Sequence, residues 1–517
     1  MLNEATIAKF LGRRLASYDW LKQATAAELA SSLAELTPKP DFSIKLWLHQ
    51  QACFLLALEL KRFMFFVDLG GGKTLLTLLL IKYLKQCGKK PRAIIFVPYI
   101  TSVETWVEQV AEHTPELKCV ALLGTTAENL SHLTDDGDLF VICYQSCVAM
   151  LADARPVAAG KKTKWQLESW RVRKQFAGFN MLILDEAHRA KSASSLTYRM
   201  CRAISQQAEY VFGLTGTPFG RDLADLWPQF YLIDFGKTLG HTASFYRSVF
   251  FNESQNYWGG RDYTFKQKLL PTLQRTIKNC SISYSVDEFY DMPPKEYIKR
   301  HLPAPQDSKG YIDKAIAELR SGIKGKHYQA VQSSYLQLRQ LSSGFMTLRG
   351  EDNDKLQIQF AQNPKLDALV ELLEAVPHGC KIVCFHHFIY TNKMISDKLK
   401  ELKIKHARIW GGQRDPIGEL RRFKNDPDCT VLVINWKSGS SSLNLQNASY
   451  LIVYEQPESP IDRKQGEARL WRPGQARRVF IYDLVMKNTV DERLRRANEA
   501  GKNLLEELLN GHTDLDG

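Results

Sequence analysis

Short, uninterrupted apolar runs alternate with longer amphipathic ones along most of this chain. Phe63 to Val67, Ala93 to Val97, Leu139 to Cys143, Met181 to Leu184 and Tyr210 to Leu214 read as strands, with helix-like runs between them. Such alternation predicts a parallel sheet with helices on both faces. The pattern returns after Lys365 with a helix at Leu366 to Leu373 and strands at Lys381 to Phe385, Thr430 to Ile434 and Tyr450 to Tyr454. Between the two blocks it lapses into an aromatic-rich segment near Phe245 to Phe265, with helix-like runs at Lys314 to Leu319 and Tyr335 to Leu341. Helical spacing from Thr25 to Leu36 ends at Pro38 and Pro40. The division expected is a helical extension at 1–40, an α/β lobe at 41–236, a mostly helical insertion at 237–365 and a second α/β lobe at 366–517.

The first lobe carries a run of three glycines, Gly70, Gly71 and Gly72, followed by Lys73 and Thr74, between the run ending at Val67 and the helical run Leu75 to Leu84. Glycines at a strand-to-helix turn let backbone N–H groups converge on an anion, and the helix N-terminus adds positive potential. Lysine supplies an ammonium and threonine a Mg²⁺-ligating hydroxyl, so the expected ligand is a nucleotide triphosphate such as ATP. The general pattern has a glycine six residues before the lysine, where this chain has Val67.

Asp185-Glu186-Ala187-His188 follows the strand Met181 to Leu184, and ligands bind at the carboxyl ends of parallel strands. Asp185 is expected to hold Mg²⁺, directly or through water, and Glu186 to position and deprotonate an attacking water. The next strand runs into Leu214-Thr215-Gly216-Thr217-Pro218-Phe219-Gly220, whose hydroxyls either sense the nucleotide or cap the following helix. Gln50, one strand ahead of the glycine turn, can use both ends of its amide on an adenine edge or lie at the surface. Gly160-Lys161-Lys162-Thr163-Lys164-Trp165, continuing to Lys174, interleaves basic residues with tryptophan. That suits a phosphate backbone, or equally a solvated helical insertion.

Composition changes the picture in three ways. Lys and Arg total 69 against 56 Asp and Glu, and the formal charge of +13 favours a polyanionic partner. The 10 cysteines include no C-x-x-C pair, which predicts a reducing compartment and neither zinc ribbon nor disulfide framework. The nearest pairs, Cys143 with Cys147 and Cys380 with Cys384, read as buried thiols. No apolar stretch reaches membrane-spanning length and the N-terminus lacks a secretion-signal layout, so a cytoplasmic location is expected.

The order of motifs resembles that of helicase superfamily II ATPases of the SWI/SNF type, over roughly residues 44 to 495. Leu46 to Gln50 resembles the adenine-reading Gln motif, Asp68 to Thr74 motif I, Val97-Pro98 through Trp106 motif Ia, Asp185 to His188 motif II and Leu214 to Pro218 motif III. Members usually lack the first glycine of the general pattern, as this chain does. In the second lobe, Ser438 to Leu445 resembles motif V, with serines where glycine is usual, and Gln465 to Gln475 resembles motif VI. Asp225 to Asp234 and Asp291 to Lys295 look most similar to the compact members encoded by bacteriophages.

The resemblance implies two RecA-like lobes that bind ATP at Gln50, Gly70, Gly71, Gly72, Lys73 and Thr74, with Mg²⁺ at Thr74 and Asp185. It makes Glu186, Arg469 and Arg472 catalytic. The two arginines stand three apart, so on a helix they would share a face, and planar guanidinium suits the charge that builds on a departing γ-phosphate. The implied activity is a DNA-dependent ATPase that moves along or remodels duplex DNA, intact, branched or forked, as a monomer. A strand-separating DNA or RNA helicase, or a binding protein with a degenerate core, are the alternatives.

Overall fold

The structure is a computed structural model that describes residues 4–13, 16–42, 44–151, 153–159, 162–169, 174–216, 223–255, 261–349, 355–413, 415–439 and 443–509. It divides into two compact units, Met1–Ser254 with Asp262–Asp291, and Gln255–Arg261 with Met292–Gly517.

In the first unit the strands are β1 (Arg62–Val67), β2 (Ala93–Val97), β3 (Cys119–Ala121), β4 (Leu139–Cys143), β5 (Asp153–Ala159), β6 (Lys162–Ser169), β7 (Met181–Asp185) and β8 (Tyr210–Thr215). Next come β9 (Phe251–Gln255), β10 (Arg261–Phe265) and β11 (Ser281–Tyr284). Seven of them form a sheet in the order β11-β1-β8-β7-β2-β4-β3, with every neighbouring pair parallel. β2, β4 and β8 are buried along their whole length, because helices cover both faces and leave no solvent side for polar residues to alternate onto. The helix Lys73–Gln86 shows the same economy of polar positions: all of Leu75 to Leu84 is buried.

The N-terminal segment belongs to this unit. It forms the helix Glu4–Leu11, a 3₁₀ turn at Asp19–Gln23 and the helix Ala26–Ala34, capped by Thr25 and Glu28. Phe10 packs edge-on against Phe245 at 4.8 Å, and the Arg13 guanidinium donates to the carbonyls of Lys237 (2.7 Å) and Thr238 (2.9 Å).

The second unit contains β12 (Lys295–Leu302), β13 (Phe345–Arg349), β14 (Lys355–Gln359), β15 (Lys381–His386), β16 (His406–Ile409), β17 (Val431–Asn435), β18 (Ala448–Val453) and β19 (Val479–Met486). Its sheet runs β12-β19-β18-β15-β17-β16, again parallel throughout. Successive residues of one strand enter different cores: Val383 and Phe385 lie in one cluster, Ile382 and Cys384 in the other. Each unit is thus a parallel sheet sandwiched by helices, the α/β architecture expected of two RecA-like lobes.

Residues 237–365, expected as one mostly helical insertion, are shared between the units. β11 extends the first sheet and β12 the second, while the helices Lys309–Lys324 and Tyr328–Ser342 pack in the second unit around Leu319, Val331 and Leu338. The basic stretch is not a helical insertion either. β5 and β6 form an antiparallel ribbon whose register pairs Val157 with Lys164 and Ala159 with Lys162. Gly160, Lys161 and residues 170–173 lie outside the described residues.

Candidate functional site

In the first unit, strand order brings the candidate chemistry into one row. β8 lies between β1 and β7, so the glycine turn after β1, Thr215 at the end of β8 and Asp185 at the end of β7 sit side by side. Thr215 pairs with Phe66, and Leu214 with Asp185. Adjacent strands stand about 4.8 Å apart, which sets the spread of these three groups at roughly 10 Å.

The glycine turn is held closely from several sides. Gly72, the N-cap of the helix Lys73–Gln86, has φ 77°, and Gly70 has φ 87°. A Cβ on Gly71 would come within 2.3 Å of Val67 Cγ1, and one on Gly72 within 2.2 Å of Gln50 Nε2. The turn therefore excludes side chains on steric as well as torsional grounds. Asp68 fastens it to β11, its N–H donating to the Tyr284 carbonyl (3.0 Å) and its Oδ2 accepting from Val286 N (3.2 Å). Lys73 Nζ reaches back across the loop to the carbonyls of Val67 (2.6 Å) and Asp68 (3.3 Å).

Gln50 is buried, and both ends of its amide are engaged within the chain. Its Oε1 accepts from Trp47 N at 3.0 Å, and its Nε2 donates to the Gly71 carbonyl at 3.3 Å. His49 Nε2 meets the same carbonyl at 2.8 Å, its ring stacked on Phe289. Burial lowers the His49 pKa, and the Lys73 charge adds to the shift. Sequence reasoning does not single out His49, and its place beside Gln50 on one helix is the only signal that points to it.

Both carboxylates are oriented by neighbours. The buried indole of Trp106 donates to Asp185 Oδ2 at 3.1 Å. Glu186 adopts the left-handed conformation (φ 53°, ψ 59°), an uncommon state for a residue with a side chain and one that clusters at functional sites. Its Oε2 accepts from the Thr215 hydroxyl at 3.1 Å and lies 3.3 Å from His188 Nδ1. Thr215 thus contacts the candidate base through the sheet. Thr217, Pro218, Phe219 and Gly220 lie outside the described residues. Gly216 comes close to the glycine turn, where a Cβ would stand 3.3 Å from the Val67 carbonyl.

The donor set fits a magnesium nucleotide. A hydroxyl at Thr74 and a carboxylate at Asp185 are hard oxygen ligands, and Mg²⁺ takes one or two such groups and completes its shell with phosphate and water. Among the described residues no three His, Cys, Asp or Glu side chains gather as a cage for a metal.

In the second unit the helix Pro460–Leu470 follows β18 and carries Arg463, Glu467 and Arg469. Arg463 is locked by Glu467 Oε1 (2.6 Å) and Asp483 Oδ1 (2.6 Å), and these carboxylates raise its pKa against the cost of burial. Gly466 is required by contact, since a Cβ there would stand 2.6 Å from Trp436 Cζ3. Arg472 does not share a helix with Arg469. The helix ends at Leu470, with Trp471 as its C-cap (φ −94°, ψ 88°), because Pro473 disfavours helical backbone at the residue before it. Arg472 instead sits in the turn closed by Gln475, whose N–H donates to the Arg472 carbonyl at 3.0 Å. Burial pushes the Arg472 guanidinium down to about 10, and the Arg469 charge pushes the same way. Of the stretch resembling motif V, residues 440–442 lie outside the described residues, while Leu445 N donates to the Arg469 carbonyl at 3.1 Å.

Residues 49–344 match the SNF2-related domain and residues 364–474 the helicase conserved C-terminal domain. Among curated proteins, the chain is 22% identical over 450 residues to the ISWI chromatin-remodeling complex ATPase ISW1 of Saccharomyces cerevisiae, covering 83% of this chain and 37% of that protein. It is 21% identical over 454 residues to the putative ATP-dependent helicase/translocase YwqA of Bacillus subtilis, covering 86% of this chain and 46% of that one. The chain thus spans about half or less of the curated relatives it matches. Among solved structures, the Sulfolobus solfataricus SWI2/SNF2 ATPase core in complex with dsDNA aligns over 93% of this chain and 97% of that one, at 19% identity and a TM-score of 0.39.

Proposed function

The chain belongs to the SNF2-related family, and from that premise we propose that it is an ATP-driven motor on duplex DNA. The observation that carries the reading is the row of groups along β1, β8 and β7: a turn that admits only glycine, a threonine hydroxyl on Glu186, and an aspartate held by an indole. Gly70 to Thr74 would hold ATP, and Thr74 and Asp185 would hold Mg²⁺, which would supply Lewis acidity when bound. Glu186 takes the proton of the attacking water, and Thr215 and His188 fix the rotamer that lets it do so. Gln50 clamps the turn through Gly71, and its amide becomes an adenine reader by exchanging that contact for the base. Arg469 and Arg472 meet the charge that develops on the γ-phosphate. Each unit grips the phosphate backbone, and binding that differs between nucleotide states moves the chain along it.

The β5–β6 ribbon supports the choice of nucleic acid. Its two strands carry Arg155, Lys162, Lys164 and Trp165, a composition that suits a phosphate backbone. Finer features of the reading are a monomeric state and a cytoplasmic location. Among the described residues no helix is long and apolar enough to cross a membrane. The blocks Asp225 to Asp234 and Asp291 to Lys295 support placement among compact bacteriophage-encoded members.

The test is steady-state ATP hydrolysis by the full chain with blunt duplex, forked duplex, single-stranded DNA and RNA. Stimulation greatest with duplex, without displacement of a labelled strand, is expected. Stimulation by RNA or single strands alone, or strand displacement, would favour the helicase alternative, and no hydrolysis with any of them would make the core a binding module.

A further inference from the structure

The outer edge of the second sheet holds a basic cavity that none of the motifs accounts for. It has a volume of about 650 Å³ and opens along β16, the terminal strand. β16 is separated from β18, which leads into the arginine-bearing helix, by β15 and β17, so within this unit the cavity lies apart from that helix. Three exposed lysines, Lys400, Lys403 and Lys405, line it together with the half-buried Arg408 and the exposed Arg422. Among the described residues two carboxylates, Glu419 and Asp426, share the lining, and at its rim Lys405 pairs with Asp428 at 2.7 Å and Lys400 with Asp397 at 3.6 Å, exposed ion pairs that a phosphate can displace.

An added peptide strand does not fit this edge. The His406 carbonyl already accepts from the Arg422 guanidinium, and Arg408 N donates to Glu419 Oε2 at 2.7 Å. A side chain from the helix Pro416–Asn425 thus covers each of these two backbone groups. What the cavity presents instead is directed positive charge. Arg408 is anchored by Nε on Asn392 Oδ1 (2.7 Å), a buried amide that also meets His386 Nε2 at 2.8 Å, and its guanidinium lies over the Trp410 ring at 4.7 Å. The positive potential is registered by His406, whose pKa burial lowers and Arg408, Arg422 and Lys400 lower further. Burial also lowers the Arg408 pKa, although Asp397 and Glu419 oppose it.

We propose that this cavity binds the phosphates of a nucleic-acid strand, Arg408 and Trp410 forming a rigid floor and Lys400, Lys403 and Lys405 tracking the backbone. An oriented guanidinium with lysine ammonium groups beside it suits a phosphate chain without regard to sequence. The inference extends the motor reading by giving the second unit a DNA contact away from its arginine helix. It does not require hydrolysis, so the two can fail separately. The same chemistry would accept free polyphosphate, which the experiment distinguishes.

The test labels the full Lys73→Ala chain with fluorotryptophan, assigns the Trp410 resonance by Trp410→Phe, and titrates in duplex DNA, single-stranded DNA or sodium pyrophosphate. The Trp410 resonance is expected to shift with nucleic acid. A Lys400→Gln, Lys403→Gln, Lys405→Gln variant should weaken that response about 10-fold. It should also make the slope of log affinity on log salt shallower by roughly 2 to 3, at about 0.9 for each phosphate left without a cation. In the chain with Lys73 intact, hydrolysis without DNA should be unchanged by the lysine substitutions. A resonance unmoved by nucleic acid, or moved equally in the lysine variant, overturns the proposal. A response to pyrophosphate alone overturns the strand assignment. A Trp410 response in a protein whose hydrolysis DNA does not stimulate would sustain the cavity and reject the motor.

Discussion

The glycine turn of the first unit and the arginine turn of the second handle buried charge in opposite ways. Around the glycine turn each charged group has a fixed partner: Lys73 has two carbonyls, Asp185 an indole N–H, and Glu186 a threonine hydroxyl. On the arginine side, Arg463 is similarly secured by two carboxylates, yet Arg472 is pushed down to about 10 by burial and by Arg469. His387, lowered to about 2, is disfavoured as a cation by burial first, then by Arg339 and Lys437. The first region is pre-organised around its own chain. The second holds positive potential that an incoming anion would relieve, the expected state of a group that acts only when a phosphate is presented to it.

The largest effects should come from disturbing the pre-organised side. Glu186→Gln should keep ATP binding but slow DNA-stimulated turnover about 10³-fold, within the range for loss of a general base, whereas Lys73→Ala should lose binding itself. Nucleotide titration beside turnover measurements separates the two, and near-native hydrolysis by Glu186→Gln would remove it as the base.

Trp106→Phe keeps the ring in its buried slot while deleting the donor to Asp185. Turnover should fall about 10-fold, equivalent to roughly 1.4 kcal/mol, with a raised Mg²⁺ requirement and little change in melting temperature. An unchanged Mg²⁺ dependence would reduce Trp106 to packing.

The contrast in charge also predicts a contrast in acid stability. His386 is lowered to about 3 by burial, and His387 to about 2. Between these values and the ordinary 6.5 the unfolded chain binds protons that the folded unit does not. Stability is therefore full above pH 6.5 and lost as pH falls, at most about 1.4 kcal/mol per pH unit for each histidine. Urea unfolding at pH 7.5, 6 and 5 should show the second unit weakening first, and a pH-independent midpoint for it would contradict these burial assignments.

At Gly466→Ala the effect should fall on stability alone. The new methyl group meets Trp436, at a cost of about 1–3 kcal/mol, measurable as a lower urea midpoint of the second unit.

What is legible in the sequence follows from burial. β2 and β4 have the bounds their apolar runs predict, because a strand covered on both faces has no polar positions to blur it. β12 is not legible: Lys295–Leu302 is an edge strand that alternates exposed and half-buried residues, and in sequence it looks like a polar linker. β11 escapes notice because four residues of Ser-Ile-Ser-Tyr carry too little periodicity. In the candidate site, the glycines, Lys73, Asp185 and Glu186 stand out in the sequence because their spacing is local. The hydrogen bond from Trp106 to Asp185 and that from Val286 to Asp68 join residues far apart in the chain, and only the sheet order brings them together. Arg472 shows the converse failure: helical spacing suggests a shared face with Arg469, but Pro473 ends the helix first.

The most direct test of the account is DNA-stimulated ATP hydrolysis by Arg472→Ala and Arg472→Lys, with nucleotide binding measured on the same preparations. If Arg472 answers the charge on the γ-phosphate, Arg472→Ala should lose roughly 10³-fold in hydrolysis while binding nucleotide nearly normally. Arg472→Lys should recover little, because an ammonium lacks the planar fork that contacts two oxygens at once. Normal hydrolysis by Arg472→Ala with DNA bound would contradict the account and leave the arginine a structural one.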